Sequence, residues 1–159
     1  MSRAFVKEQD DAPEQLTERP VSANPNFVTQ RGLRLIDGEI EALRRVLAQA
    51  QAEADKSAIA RASRDLRYWM QRRSSAQLVE APAMPLMAGF ATAVTVRRED
   101  GRRQTLKLVG EDEADPARGL IAYTSPMARA VLGRALGECV EAPGGEVEIV
   151  ALEAVGPEG

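Results

Sequence analysis

Two apolar repeats in the middle of the chain strongly restrict how it can fold. In each repeat, apolar residues recur at alternating intervals of three and four positions, as at positions a and d of coiled-coil helices. The first repeat comprises Leu33, Ile36, Ile40, Leu43, Leu47, Ala50 and Ala54. The second comprises Ile59, Ala62, Leu66, Trp69, Arg73 and Ala76, in which Arg73 is a polar interruption. Because a short polar link joins the repeats, residues 29–80 are predicted to form an antiparallel coiled-coil hairpin, with Thr29 as its N-cap.

A different pattern follows Pro82 and Pro85, which interrupt the helix and mark a domain boundary. Alternating apolar residues then predict short strands. These strands cover residues 90–96, 104–108, 120–123 and 147–152. Between them, Ser125 caps and Pro126 opens a short helix. Residues 84–156 are therefore expected to form an α+β domain, a small curved antiparallel sheet with one short helix.

Charge is distributed unevenly along the 159 residues. Residues 1–28 hold three basic and five acidic side chains, residues 29–80 hold ten and seven, and residues 81–159 hold eight and twelve. Zones of different sign indicate separate modules rather than one uniform surface. The first zone also contains three prolines and no apolar period. We expect residues 1–28 to be a disordered acidic tail, or a segment that lies across another surface.

Residue types that are rare or absent exclude several kinds of site. The chain has no histidine, so it has no Ser-His or Cys-His nucleophile pair and no histidine metal ligand. Its single cysteine, Cys139, excludes an internal disulfide, fits a reducing compartment and is expected to be a small core residue. No apolar run approaches the roughly 18 residues of a membrane span, and no signal peptide is evident. We therefore expect a cytoplasmic, monomeric protein that does not contact membranes.

The segment from Leu108 to Gly145 carries a specific family pattern. It contains three motifs, which are separated by short predicted strands. They are an acidic turn with the sequence VGEDEAD, a Ser-Pro helix start and a Pro-Gly-Gly hairpin. The pieces stand in order at residues 109–115, 120–124, 125–133, 137–140 and 143–145. In this order, and with almost no gap, they resemble the C-terminal domain of the GreA/GreB transcription elongation factors. A helical hairpin followed by such a domain is the arrangement of that family.

The resemblance implies a fold and a partner. It implies that the sheet domain is FKBP-like and clamps the rim of the secondary channel of bacterial RNA polymerase. It also implies that the hairpin enters this channel, where acidic tip residues help the polymerase to hold a catalytic Mg²⁺ and to activate water that cleaves backtracked RNA. Carboxylates suit that task because a hard divalent cation prefers oxygen ligands. The chain would need no cofactor of its own.

The tip of the hairpin departs from the family pattern. That pattern reads approximately GDLSENAEY, in which an acid stands three residues after the first Asp. Asp55 fits the first acid, but Ala58 occupies the place of the second, and Glu53 could substitute only if the loop turned it the same way. Each helix is also expected to be shorter than the family's by roughly ten residues, or about 15 Å of reach. These departures predict a polymerase-binding regulator whose cleavage stimulation is weak or lost.

Two further groups of residues are candidate contacts. In the family, a basic patch on the hairpin contacts the RNA 3′ end, so the basic residues of the second helix are candidate RNA contacts. They are Lys56, Arg61, Arg64 and Arg67. A solvated flank of the coiled coil would explain these residues equally well. The polymerase-binding candidates are Glu111, Asp112, Glu113, Asp115, Ser125 and Pro126, of which the four acids are expected to form an exposed turn. Helix capping alone would also explain Ser125 and Pro126.

Three functions remain open at this point. The first is a GreA/GreB-type regulator, with full transcript cleavage through Asp55 as its strongest version. The second is a prolyl isomerase, suggested only by the FKBP-like fold; such enzymes line their cleft with several aromatic residues, whereas residues 84–159 contain only Phe90 and Tyr123. The third is an RNA-binding helical arm, which rests on the basic second helix alone.

Overall fold

Two long helices form the first unit of the structure. In the computed structural model, which describes residues 16–158, α1 spans Gln30–Ala52 and α2 spans Lys56–Ser75. They contain 23 and 20 residues, so they are about 35 and 30 Å long. The predicted helical hairpin is confirmed, and Thr29 is its N-cap, because the Thr29 hydroxyl accepts a hydrogen bond from the Gly32 amide at 3.0 Å. Within the described residues, no helix is long and apolar enough to cross a membrane.

The seam between the helices follows the predicted repeat except near the end of α2. Ile36, Ile40 and Ala62 are buried in it. Arg73, however, faces solvent, and its neighbour Arg72 is buried at 2% exposure. The reason is that Arg73 pairs with Asp37 of α1 at the exposed edge of the seam, whereas Arg72 lies about 100° round α2 from Arg73 and is turned away from α1. The end of α2 therefore carries a buried arginine, which needs a carboxylate partner from outside the hairpin.

A small parallel sheet closes the base of the hairpin. The strand β1, Phe27–Val28, precedes α1, and β2, Gln77–Leu78, follows α2. Val28 is buried with the apolar residues at the base of the seam. The two chain segments that enter and leave the hairpin are thus joined by backbone hydrogen bonds before the second domain begins.

The second domain is a five-stranded sheet with one short helix, which confirms the predicted α+β class. Its strands are β3 (Thr92–Arg98), β4 (Arg103–Val109), β5 (Leu120–Ala122), β6 (Cys139–Ala142) and β7 (Gly145–Ala154). They lie in the order β5-β4-β3-β7-β6. Neighbouring strands are antiparallel except for β4 and β5, which are parallel. The prediction of a wholly antiparallel sheet was therefore wrong for this pair. A parallel pair needs a crossover, and the chain supplies one that contains two short 3-10 turns, Glu111–Glu113 and Pro116–Arg118.

The core of this domain is aliphatic, as the scarcity of aromatic residues predicts. The short helix α3, Pro126–Val131, packs Ala128 and Val131 against one face of the sheet. The residues on that face that are almost fully buried include Val94, Val96, Leu108, Val147 and Ile149. The core of the domain is thus a single layer of helix on sheet.

Cys139 is not the core residue that the sequence predicted. It is exposed, whereas Val140 beside it is buried at 7% exposure. Successive side chains of a strand point to opposite faces, so only one of two neighbours in β6 can face the core. Val140 takes that place, and the thiol of Cys139 points outward.

The described part of the N-terminal tail is ordered, which corrects the prediction of a disordered segment. Residues 16–26 run beside α2, and Asn26 is buried at 5% exposure. The amide of Asn26 donates to the Arg72 carbonyl at 2.7 Å, and the guanidinium of Arg19 lies 3.9 Å from the ring centre of Tyr68. These contacts fit the alternative of a segment that lies across another surface. The rest of the predicted tail, residues 1–15, lies outside the described residues.

Candidate functional site

The tip of the hairpin is a tight turn in which one helix end leads directly into the next helix start. The amide of Ala54 donates to the Gln51 carbonyl at 3.2 Å, and the amide of Asp55 donates to the Ala50 carbonyl at 3.0 Å, which together form a Schellman motif. This motif places Ala54 at a φ of 51°, a conformation that glycine usually supplies. Asp55 is then the N-cap of α2, since its Oδ1 accepts from the Ala58 amide at 3.0 Å.

The two predicted tip carboxylates are exposed, and each makes a local contact. Glu53 Oε1 accepts from Gln49 Nε2 at 2.5 Å, one turn back along α1. Asp55 caps α2, and Ala58 contributes only a methyl group where the family pattern has an acid. Residues 16–158 contain no cluster of three or more acidic, cysteine or histidine side chains that could hold a metal ion. The tip therefore offers single carboxylates with capping or surface roles rather than a prepared pair.

The basic residues that were predicted to face RNA lie along α2. Lys56, Arg61 and Arg67 are exposed, and Arg64 is half-buried. Arg64 Nη2 lies 2.9 Å from Asp65 Oδ1. Arg67 donates from two nitrogens to the carboxylate of Glu18. This hydrogen bonding lowers the pKa of Glu18. The ordered tail therefore supplies a negatively charged partner to α2. Much of the positive charge on this helix is thus already paired within the protein.

The acidic turn is not the exposed loop that the sequence predicted, because Glu113 is buried at 3% exposure. Its Oε2 accepts from the Thr29 hydroxyl at 2.6 Å, and its Oε1 lies 3.2 Å from Arg31 Nη1. The approach is possible because residue 32 is a glycine: a Cβ there would lie 2.8 Å from Glu113 Oε2. A residue of the sheet domain is therefore bonded to the first turn of α1.

Asp112, the preceding residue, is bonded to the last turns of α2. Its Oδ2 accepts from Arg72 Nε at 2.6 Å, and its Oδ1 accepts from the Tyr68 hydroxyl at 2.9 Å. Burial, together with the hydrogen bond to Asp112, raises the pKa of Tyr68. The guanidinium of Arg72 has a second partner in Asn26, whose Oδ1 accepts a hydrogen bond from Arg72 Nη2 at 2.8 Å. Asp112 thus provides the carboxylate that the buried arginine at the end of α2 requires.

The contact between the domains is closed by backbone and aromatic groups. A Cβ at Gly110 would lie 2.4 Å from the carbonyl oxygen of Phe27, so only glycine fits there. Phe27, Phe90 and Tyr123 form a group of three rings whose centroids are 5.3 to 5.8 Å apart. Glu111 adds a hydrogen bond from the Ser22 hydroxyl at 2.8 Å.

We call the set of Thr29, Arg31, Arg72, Asp112 and Glu113 the interdomain joint. Sequence reasoning missed this joint because its two halves are far apart in the chain; Thr29 and Glu113 are 84 residues apart. One usable signal was Gly32 in the first turn of α1. A glycine inside a helix is unfavourable by about 1 kcal/mol unless it has a packing or functional reason.

The other predicted polymerase contacts are accessible. The side chain of Asp115 makes no hydrogen bond or ion pair with the described residues, 16–158, although its backbone pairs with Leu120. Ser125 caps α3, since its Oγ accepts from the Ala128 amide at 3.3 Å, and Pro126 beside it is exposed. Helix capping explains why residue 125 is a serine. Pro126 and Asp115 remain accessible on the sheet domain.

Comparison with known proteins identifies relatives for most of the chain. The sequence profile described as "Transcription elongation factor, GreA/GreB, C-term" matches residues 87–154. The transcription elongation factor GreA of Alkalilimnicola ehrlichii is 32% identical, and the match covers 79% of this chain and 94% of that protein. GreB of Yersinia pestis is 29% identical, and the match covers 82% of this chain and 89% of that protein.

Solved structures that match the chain include GreA factor homolog 1 of Thermus thermophilus. That structure matches at a TM-score of 0.39 and 20% identity, covering 81% of this chain and 99% of the other. A GreA/GreB factor from Nitrosomonas europaea matches at a TM-score of 0.37 and 20% identity, covering 80% and 98%. At these TM-scores, the assignment to a family depends on the sequence relatives.

Proposed function

Since the chain belongs to the GreA/GreB family of transcription elongation factors, we propose that it regulates transcription by binding bacterial RNA polymerase at the secondary channel. The sheet domain docks at the rim of the channel, and the helical hairpin enters it. The protein acts in the cytoplasm as a monomer and catalyses nothing itself. Any cleavage of RNA is carried out by the polymerase.

The accessible residues of the sheet domain support the docking role. Pro126 is exposed, and Glu111 and Asp115 are both partly exposed. Asp112 and Glu113 could contact the polymerase only by leaving the partners that they have in the interdomain joint, and a buried charge that loses its partner costs several kcal/mol. We therefore assign the docking contacts to the accessible residues.

The geometry of the tip is the observation that favours weak or absent cleavage stimulation. Asp55 uses one carboxylate oxygen to cap α2, and Ala58 provides no second acid. A hard divalent cation prefers several oxygen ligands, so the tip does not fit the role of a metal-holding pair. No step of the proposed action depends on a metal held by this chain. The regulator acts by occupying the channel and by competing with other factors that enter it.

The test combines a cleavage assay with a binding measurement on backtracked RNA polymerase. We expect the full chain to bind the polymerase, to stimulate little cleavage and to inhibit the cleavage that a Gre factor stimulates. Asp115→Asn and Pro126→Ala should weaken binding, whereas Asp100→Asn, in the exposed turn between β3 and β4, should not. No binding by the full chain would overturn the proposal.

Asp55→Asn decides whether cleavage is retained. Asparagine can still cap α2, so this variant removes the charge of the tip while it keeps the local structure. Robust cleavage that Asp55→Asn abolishes would show instead that the chain is a full cleavage factor acting through Asp55. Tight, salt-sensitive binding of RNA without polymerase, lost in Arg61→Gln, would favour the RNA-binding arm.

A further inference from the structure

We propose that Asp112 and Glu113 are positioning residues that aim the helical hairpin relative to the sheet domain. The inference depends on the proposed function, in which one domain docks and the other enters the channel. In that arrangement the direction of the hairpin matters as much as the strength of docking. The interdomain joint contains the contacts that set this direction.

Each of the two carboxylates holds a different helix. Glu113 is bonded to the hydroxyl of Thr29 at 2.6 Å, and the same hydroxyl caps the first turn of α1. Asp112 is bonded to Arg72 at 2.6 Å and to Tyr68 at 2.9 Å, both within the last turns of α2. Two points of attachment on two helices fix the orientation of a rod, whereas a single point would fix only its position.

The buried state of these groups makes the joint stiff. Arg72 and Glu113 are 2% and 3% exposed, and no buried side-chain nitrogen or oxygen in residues 16–158 lacks a hydrogen-bond partner. A tilt of the hairpin would break at least one of these bonds and leave a buried charge without a partner, which is strongly unfavourable. The joint therefore favours one orientation of the hairpin.

A small change in the joint would be amplified at the tip. Because α1 is about 35 Å long at 1.5 Å per residue, a tilt of about 10° at its base moves the tip by about 6 Å. Misplacement by about 1 Å can already reduce the efficiency of a positioned group by a large factor. The joint thus controls where the tip lies without touching it.

Gly32 offers a way to disturb the joint without changing either functional surface. A Cβ at residue 32 would lie 2.8 Å from Glu113 Oε2, so Gly32→Ala should push the carboxylate away from Thr29. Gly38 is the matched control, because it lies on the same helix and has no atom within 4 Å of its added Cβ. Asp112→Asn and Glu113→Gln are isosteric variants that remove one charge each.

The experiment measures the position of the tip in the full chain. One spin label is attached to Cys139, which is exposed on β6, and a second is introduced by Gln51→Cys near the tip. Pulsed electron paramagnetic resonance then gives the distance distribution between them. Gly32→Ala, Asp112→Asn and Glu113→Gln should shift or broaden this distribution by about 3 Å or more, whereas Gly38→Ala should change it by less than about 1 Å. Denaturant unfolding identifies the variants that remain folded, and the isosteric pair provides the test if Gly32→Ala does not fold.

The same variants separate aiming from docking on RNA polymerase. Their affinity for the polymerase should fall less than that of Asp115→Asn, because the substituted carboxylates are bonded to the hairpin and are not themselves docking contacts. The concentration needed to inhibit a Gre factor's cleavage should rise about fivefold or more, because a misdirected hairpin occupies the channel poorly.

The outcomes distinguish this inference from the proposed function. Unchanged distance distributions in the folded joint variants would overturn the inference, whatever the polymerase results. Shifted distributions with no loss of inhibition would also overturn it, because the orientation would then have no functional effect. Shifted distributions in a protein that never binds polymerase would support the aiming role of the joint and contradict the proposed function.

Discussion

The two ends of the helical hairpin use the same residue types in opposite ways. At the base, Asp112 and Glu113 are bonded to residues far away in the chain, and they hold two domains together. At the tip, Glu53 and Asp55 are exposed and bond only to residues within four positions of themselves. The difference shows that the number of acidic residues in a motif says little about its role until the partners are known. Here two acids of the prominent motif hold the domains together, whereas the sparse acids at the tip have only local partners.

The largest predicted effect tests the buried ion pair at the base. Arg72→Ala would leave Asp112 without its cation in a site where its side chain is 11% exposed, and it should destabilise the protein by about 3–5 kcal/mol. Arg73→Ala is the neighbouring control, because Arg73 and Asp37 form a pair in which both side chains are about half-exposed. The control should cost less than about 1 kcal/mol. Equal losses in urea unfolding would contradict the contrast between buried and exposed pairs.

The second prediction tests the close approach of the two domains. Gly110→Ala places a Cβ 2.4 Å from the carbonyl oxygen of Phe27, which as backbone cannot move aside easily. We expect a loss of about 1–3 kcal/mol in the free energy of unfolding. Gly38→Ala, in the exposed middle of α1, should instead gain about 0.5–1 kcal/mol, because it replaces a helical glycine without meeting any atom. A neutral Gly110→Ala would mean that the domains can separate at little cost.

The third prediction concerns the cap at the tip. Asp55→Ala removes the acceptor for the Ala58 amide and should destabilise α2 by about 1 kcal/mol, whereas Asp55→Asn should have a much smaller effect. Amide hydrogen exchange in the first turn of α2 measures this locally. If protection at the joint fell as much as protection at the tip, the two ends would be coupled more strongly than their separate contacts suggest.

The smallest effect is expected from Ala54→Gly. Ala54 has a φ of 51° in the Schellman motif, where a side chain is strained and glycine is not. The substitution should therefore stabilise the turn by about 0.5 kcal/mol, seen as a small rise in the midpoint of thermal unfolding. A fall in the midpoint would indicate that the flexibility of glycine in the unfolded chain outweighs the strain that is relieved.

Local patterns in the sequence predicted most of the fold, and they failed where a contact crosses between domains. The spacing of residues such as Ile36 and Ile40 predicted the helical hairpin, and the Ser125-Pro126 pair predicted the start of α3. These features follow from neighbours in the chain. The burial of Glu113 could not be predicted in the same way, because its partners belong to another domain.

Two further differences concern the face of an element on which a residue lies. Arg73 lies at the edge of the seam, where it pairs with Asp37, and Arg72 is buried instead because its partner Asp112 belongs to the other domain. Cys139 was placed in the core because a free cysteine is usually a small buried residue. The face that it takes in β6 depends on the pairing with β7, which the sequence does not specify. A shift of one residue reverses the direction of a side chain in a strand. The tip residues Glu53 and Asp55 were located correctly, but their roles remain a prediction.

The long span of the joint has a consequence for how the protein is made. Arg72 and Asp112 are 40 residues apart, and during translation at roughly 5–20 residues per second the second follows the first by about 2–8 s. The hairpin therefore leaves the ribosome before the domain that completes its base exists. During that interval the guanidinium of Arg72 is hydrated, and the hairpin must persist on its own seam and on the pairing of β1 with β2. Assembly of the joint thus has to follow the synthesis of Asp112, and the direction of the hairpin is set only after that point.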